Sequence, residues 1–443
     1  MSTAFSRLRF ATSLKRLEIG ETLVRRNPLF YPRALSMFQH CFEMTLEQRR
    51  VWNARRLERA LRQAARTAYG GHLGAPRKLQ DWPLLDPAQV RERPMDHYRP
   101  GHWSIPSSTG GTTGIPLPLW RSPRSAAVEQ AALDRLLLRA GTGPRRARVA
   151  VLRGDDIKPI GDRTPPFWVS AVGGRRLVFS SNHLRRDTIA AFARALGEFC
   201  ADYWWVYPTT LEALLRLARE QGLPLSVPVV LSSSEVLSPA CRDDARTTLG
   251  ACVVDHYGQA ERVALSSAVD GGGHYFLAGY SQVELHPLPA TDGARYEIVG
   301  TSLWNHAMPL VRYRTGDVIR AAYPFTPDEL EAITLGIQPF GGVMGRDGDV
   351  LIAPDGTRLS GIDHFHRGVD RIVRIQVVQS SPAEVEIRVI PAAGFAEPER
   401  AQLLANAARK LPPSMHVEVR LVDELERTAL GKTPFVIHRT GGA

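Results

Sequence analysis

The sequence predicts an α/β protein: a large layered α/β N-terminal domain followed by a small α+β C-terminal domain. Three observations predict it. Apolar strand-like runs alternate with amphipathic helical patterns from about residue 126 to 255, the signature of parallel βα layering. From His274 the pattern changes to hairpins. Beyond the glycine-rich stretch Gly341–Asp349 comes a strand, strand, helix, strand series that makes a separate small unit. We place the large domain at 1–346, with a helical N-terminal region over about 1–80, and the small domain at 347–443.

Taken in order, Phe5, Leu8, Leu14 and Leu17 recur at helical spacing among basic residues, and a second helix runs from Leu46 to Ala68. The basic first helix is read as docked on its own domain, with peripheral membrane contact as the other use of such a segment. Trp82–Tyr98 is a proline-punctuated connector. Helices are expected at Ala126–Ala140, Arg185–Cys200, Leu211–Gln221 and Pro239–Leu249. Strands are expected between them at Arg148–Leu152, Tyr203–Tyr207, Val227–Leu231 and Cys252–Asp255. Hairpin strands follow at Tyr275–Leu277, Gln282–Leu285 and Tyr296–Val299, with Asp270–Gly273 as a turn. The small domain has strands at Val373–Val378, Glu384–Ile390 and His416–Val422, and a helix at Pro398–Lys410.

Composition removes several classes. At 44% hydrophobic and 23% charged, the chain is an ordinary globular one. No apolar run approaches the roughly 20 residues of a membrane helix, and no signal-peptide core is present, so a cytoplasmic protein is expected. Cys41, Cys200, Cys241 and Cys252 form no Cys-x-x-Cys pair and are expected as reduced thiols. The formal charge of +11 is spread along the chain, and only five of the 56 cations are lysine. No interleaved aromatic strip accompanies them, so nucleic acid is not an expected partner.

Residues Ser107–Pro116 read Ser-Ser-Thr-Gly-Gly-Thr-Thr-Gly-Ile-Pro. Glycines let consecutive N–H groups face one concavity, and hydroxyls add donors without bulk, so the loop is a candidate phosphate nest. Its spacing is neither that of the P-loop nor that of the dinucleotide fingerprint. Three later motifs give it a context: Asp255-His-Tyr-Gly-Gln-Ala-Glu261, Leu310-Val-Arg-Tyr-Arg-Thr-Gly-Asp317 and Leu430-Gly-Lys432. One carboxylate for Mg²⁺, one for ribose, an aromatic for stacking and a lysine for developing charge are what nucleotidyl transfer needs.

The loop, Tyr257-Gly-x-x-Glu261, Tyr313-Arg-Thr-Gly-Asp317, Gly345-Arg346-x-x-Asp349 and Gly431-Lys432 match, in order and spacing, the core motifs of the adenylate-forming acyl/aryl-CoA synthetase superfamily. Over residues 80 to 440 the chain most resembles the phenylacetate–CoA ligase branch and its capsular-polysaccharide-associated relatives, in which Ser234-Glu235 has its counterpart. The resemblance implies ATP-dependent activation of a small carboxylic acid as its adenylate, then transfer to CoA, with a mobile small domain hinged just after Arg346 near Gly348. Thr109, Gly110, Gly111, Thr112, Thr113 and Gly114 would wrap the ATP phosphates. Tyr257, with Gly258, would meet adenine, Asp317 would bind the ribose, Glu261 would hold Mg²⁺, and Arg346 would approach the phosphates. Lys432 would bridge the substrate carboxylate and the α-phosphate side. Two positions depart from the family pattern: Ala260 replaces a hydroxylated residue, and Ile115-Pro116-Leu117 stands where a loop lysine is common. A carrier-protein pantetheine or an amine is the alternative acceptor, and a catalytically weakened protein of polysaccharide biosynthesis is the alternative from another class.

The aromatic run Tyr203, Trp204, Trp205 and Tyr207 points to an aryl or other apolar acid, with core packing as its other explanation. His256 is read either as facing the acid or as a packed, hydrogen-bonded histidine, and His364 and His366 as surface residues rather than a metal site.

Overall fold

The computed structural model describes residues 20–109, 117–153, 157–158, 162, 164–290, 293–346, 351–354, 358–359, 365–366, 369, 371–408, 411–426 and 434–439. The chain divides into two compact units between Met344 and Gly345.

In the large unit, helix α1 (Tyr31–Glu43) precedes α2 (Leu46–Ala64), which starts at a reciprocal capping box between Thr45 and Gln48. A two-stranded hairpin, β1 (Ile105–Ser108) and β2 (Pro118–Arg121), carries the Ser/Thr/Gly loop between its arms. Helix α3 (Pro123–Arg139) follows at once, with Ser122 as N-cap and Pro123 in its first turn.

The main sheet has eight strands in the order β10-β9-β8-β7-β6-β3-β5-β4. They are β3 (Val149–Arg153), β4 (Trp168–Ala171), β5 (Arg176–Ser180), β6 (Tyr203–Val206), β7 (Val229–Ser233), β8 (Cys252–Gly258), β9 (Leu265–Val269) and β10 (Tyr275–Phe276). The five central strands are parallel, and β4, β9 and β10 add antiparallel edges. Strand period 2 sorts the side chains. Ala150, Leu152, Trp204, Val206, Val230 and Val253 face helices α4 (Ile189–Phe199), α5 (Pro208–Glu220) and α6 (Pro239–Leu249). Val149, Val151, Tyr203, Val229, Leu231 and Val254 face α1 and α3. A parallel sheet covered on both faces is a doubly wound layer, whose carboxyl strand ends are the natural place for a ligand.

A second sheet has the order β11 (Ser281–Leu288), β12 (Ala294–Ser302), β13 (Tyr313–Ala321), β14 (Val343–Arg346), its first three strands antiparallel, with helix α7 (Pro327–Thr334) between the last two in sequence.

The small unit pairs β15 (Leu351–Ile352) antiparallel with β16 (Arg358–Leu359) and orders its larger sheet β19-β18-β17-β20: β17 (Ile372–Ser381) pairs antiparallel with β18 (Glu384–Pro391), and β19 (His416–Leu421) and β20 (Val436–His438) join the edges in parallel. Val377, Val385, Ile387 and Val389 pack on Leu403 and Ala407 of helix α8 (Glu397–Ala408).

The large-layer and small-unit architecture agrees with the sequence expectation. Sequence periodicity missed β1, β2, β4, β5, β9, β13, β14, β15, β16 and β20; all but β13 have five residues or fewer, and β13 is interrupted by turn-type residues. Helix α4 begins at Ile189 rather than Arg185, because Arg185–Thr188 is spent on a turn closed by Thr188 Oγ1.

Candidate active site

Strand β8 delivers Tyr257 toward the second sheet. Its phenol donates to Asp317 Oδ2 at 2.7 Å and accepts from Gln259 Nε2 at 2.9 Å. Gln259 is itself oriented, its Oε1 accepting from the Ala264 N–H at 3.2 Å. Burial, reinforced by the Asp317 carboxylate, pushes the Tyr257 phenol well above its ordinary value, so it stays a donor. Gly258 is fitted to this arrangement: a Cβ there would lie 3.0 Å from His256 Cε1.

Asp317 owes its position to a bulge. Glu297 pairs with Val318 but Val299 pairs with Arg314, so Thr315, Gly316 and Asp317 lie opposite Ile298 alone. Gly316 takes φ +71°, which a side chain would resist. Thr315 Oγ1 ties the bulge down, donating to Ile298 O at 2.7 Å and accepting from Asp317 N–H at 3.0 Å.

Glu261 lies just past β8, 6% exposed. Tyr313 donates to its Oε1 at 2.8 Å, while Oε2 is buried with no hydrogen-bond partner. A buried carboxylate oxygen without a donor is costly unless a cation completes it. Among the described residues no group of three His, Cys, Asp or Glu could hold a metal alone. One carboxylate plus substrate phosphates is the usual Mg²⁺ arrangement, and Glu261 fits it. The backbone beyond is packed without tolerance: a Cβ on Gly300 would meet Val263 O at 2.2 Å.

Thr109 stands at the base of the loop. Its N–H donates to Leu117 O at 3.1 Å and its Oγ1 accepts from Leu117 N–H at 3.0 Å, pinching the two arms together. Leu117 and Leu119 share a core cluster with Val263 and Tyr313, with Ala260 packed against it, so the loop base sits beside the Glu261–Tyr313 pair. Gly110, Gly111, Thr112, Thr113, Gly114, Gly348, Asp349 and Lys432 lie outside the described residues, as does the side chain of Arg346, whose backbone ends β14. Thr109, Tyr257, Gly258, Glu261 and Asp317 are thus gathered in the large unit. Sequence reasoning assigned no role to Gln259, Tyr313 or Thr315, although all three stand inside the quoted motifs; a hydrogen-bonding side chain two residues from Tyr257 or Asp317, or four before Asp317 for Tyr313, was the available signal.

Of the aromatic run, Tyr203 and Trp204 are core residues on opposite faces of the sheet. Trp205 is half-buried, donating to Ser233 Oγ at 2.9 Å with the Arg153 guanidinium 4.3 Å above its ring. His256 is buried, but neither ring nitrogen has a hydrogen-bond partner, which corrects the picture of a satisfied packed histidine. The four cysteines are free thiols; Cys41 and Cys241 are buried, and Cys200 is exposed. Among the described residues no helix is long and apolar enough to cross a membrane.

Residues 351–439 match the family described as the CapK C-terminal domain. Protein CapK of Staphylococcus aureus is 24% identical over 225 residues, 48% of this chain and 47% of that protein, so the chain spans about half the length of the curated relative it matches. Among solved structures, 2-hydroxyisobutyryl-CoA ligase in the postadenylation state is similar in two complexes. With R3-HIB-AMP the TM-score is 0.60 at 17% identity, over 86% of this chain and 88% of that one. With 2-HIB-AMP it is 0.59 at 18% identity over the same shares. The chain has the fold of the adenylate-forming CoA ligases, and its residues 351–439 are similar to the CapK C-terminal domain.

Proposed function

We propose that this protein activates a carboxylic acid with ATP as an acyl-adenylate and transfers the acyl group to a thiol, with CoA as the acceptor. The observation that carries this is Glu261: a buried carboxylate with one oxygen held by Tyr313 and the other unengaged, beside the Tyr257–Asp317 pair. In this assignment Tyr257 presents its ring to adenine, and Asp317, oriented by the Tyr257 hydroxyl and its bulge, takes the ribose hydroxyls. Glu261 would hold Mg²⁺, which when bound would screen the charge of the triphosphate. Gly110–Gly114 and Thr109 cradle the phosphates, and Arg346 approaches them.

The chemistry sets the remaining requirement. A carboxylate oxygen attacks the α-phosphorus, forming a P–O bond while the bond to pyrophosphate breaks. Two anions meet in this step, so a compact cation between them lowers the barrier, and lysine suits that place better than a guanidinium. Lys432, one of five lysines among 56 cations, takes that role. The thiol then attacks the acyl carbonyl, losing its proton as the thioester forms and AMP departs.

ATP–pyrophosphate exchange over aryl, aliphatic and hydroxy acids tests the proposal; folded protein giving no exchange with any acid would sink it. Lys432→Ala is expected to lower adenylate formation by about 10³-fold while sparing conversion of supplied acyl-adenylate to thioester. Equal loss of both steps would contradict the assignment. A second reading, a weakened homologue serving polysaccharide assembly, is motivated by Ala260 and Ile115 and predicts ATP binding without exchange.

A further inference from the structure

Strand β8 has two faces. Tyr257 points from one toward Asp317, and His256, on the other, lies within electrostatic reach of the carboxylate of a guanidinium-rich cluster. At its centre is Glu129 of α3, which accepts from the Tyr280 hydroxyl and lies 3.7 Å from Arg262 Nε. Arg121, the last residue of β2, donates from Nη2 to Ala260 O at 2.8 Å. Arg153 ends β3 and lies over Trp205. Arg25, Arg121 and Arg262 are close enough to repel one another: burial, then the Arg262 charge, brings the Arg121 guanidinium down to about 10 against the opposing pull of Glu129. Arg25 and Arg176 have further interactions of their own, and the site is built without them.

The unsatisfied atoms converge here. Arg121 Nε, Arg262 Nη1, Arg153 Nε and both ring nitrogens of His256 are buried without a hydrogen-bond partner. Charged donors buried without acceptors are rare because each forfeits its hydration. Arg262 is moreover held at φ +58°, a conformation arginine adopts only under constraint. The cluster sits at the carboxyl ends of β3 and β8, where a doubly wound sheet takes its ligand. Three guanidiniums around Glu129 leave an excess of positive charge, and the His256 imidazole, kept neutral by burial and within reach of Glu129 and Asp255, adds a hydrogen-bonding group, so the cluster can receive an anion.

We infer that the acid activated by this protein carries a second anionic group, a carboxylate or a phosphate, remote from its reacting carboxylate and held by Arg121 and Arg262, with Arg153 and His256 beside them. This rests on the adenylating function proposed above and narrows its substrate. The nucleotide is assigned to the Tyr257–Asp317 face, so an anion-binding cluster on the His256 face meets the far end of the acid rather than the triphosphate. The aryl or apolar acid expected from the aromatic run loses two of its supports, since Tyr203 and Trp204 are core residues.

The test uses the full chain and matched acids: dicarboxylic acids against their monoamides, and hydroxy acids against their phosphate esters. Each pair is measured by ATP–pyrophosphate exchange and, without ATP, by calorimetry. At least one anionic member is expected to exceed its neutral partner tenfold in kcat/KM, and the better of the two series identifies the group as carboxylate or phosphate. Arg121→Met and Arg262→Met are each expected to reduce that preference at least tenfold through KM, with Arg→Lys restoring part of it. Arg121→Met should melt no lower than the parent, since it removes an incompletely paired buried cation, whereas Arg262→Met takes the ion partner from Glu129 and is expected to melt lower; should either fail to fold, its Lys variant is used for the comparison. Equal kcat/KM within every pair, or a preference unchanged in both variants, overturns the inference. If no acid supports exchange, the adenylating function falls while calorimetry still decides the anion site: arginine-dependent binding of an anionic member upholds it, and equal binding of the members overturns it.

Discussion

Asp134 and Glu261 are both buried carboxylates of the large unit, and they are used in opposite ways. Asp134, on α3, takes four donors on two oxygens: Arg26 Nη2 at 2.8 Å and Gln130 Nε2 at 2.7 Å on Oδ1, Arg26 Nε at 2.9 Å and the Tyr31 hydroxyl at 2.6 Å on Oδ2. Nothing is left over, and the group ties α1 and the segment before it to α3. Glu261 takes a single neutral donor on Oε1 and leaves Oε2 unmatched. A saturated buried carboxylate holds the fold together; a half-satisfied one waits for a partner from outside the chain.

Substitution separates the two. Glu261→Gln keeps an acceptor for Tyr313 and removes the charge, so exchange activity should fall by about 10²–10³-fold while the melting temperature stays level or rises. A Glu261→Gln protein that exchanges normally would reduce Glu261 to a structural residue like Asp134. Asp134→Ala should do the reverse, costing about 3–5 kcal/mol in urea unfolding because Arg26 loses its bidentate partner in a largely buried place, with KM for ATP unchanged in whatever remains folded. A shift of less than 1 kcal/mol there would break the contrast. The smallest effect belongs to Tyr313→Phe, which frees the second oxygen of Glu261. About 1 kcal/mol of stability should be lost, and KM for ATP should shift less than tenfold, since the carboxylate stays in place without its orienting donor.

How much of this was legible beforehand depends on the kind of feature. The βα layering was, because apolar strands such as Val229–Leu231 and amphipathic helices such as α5 carry their period in a short window. Edge strands β4 and β20 were not, because their pairing is settled by distant segments, as when Val436 joins Val377. In the site, Tyr257, Glu261 and Asp317 were legible as residue types at fixed spacing. Their orienting partners were less so: Tyr313 reveals its use only once β13 lies against the segment after β8, whereas Gln259 acts locally, two residues from Tyr257, and was readable only as a polar side chain beside it. The arginine cluster was hidden for the same reason: Arg121, Arg153 and Arg262 are dispersed in a chain full of arginine, and convergence is a property of the fold.

Gly300 carries a consequence for inheritance. It belongs to no nucleotide motif and touches no reacting group, yet its missing side chain is what lets β12 lie against Val263, two residues beyond Glu261. A lineage drifting at this codon would lose the geometry of Glu261 with every motif residue intact. Descendants still matching all the motifs would then include silent ones, and the residue at 300 would sort them from the working ones.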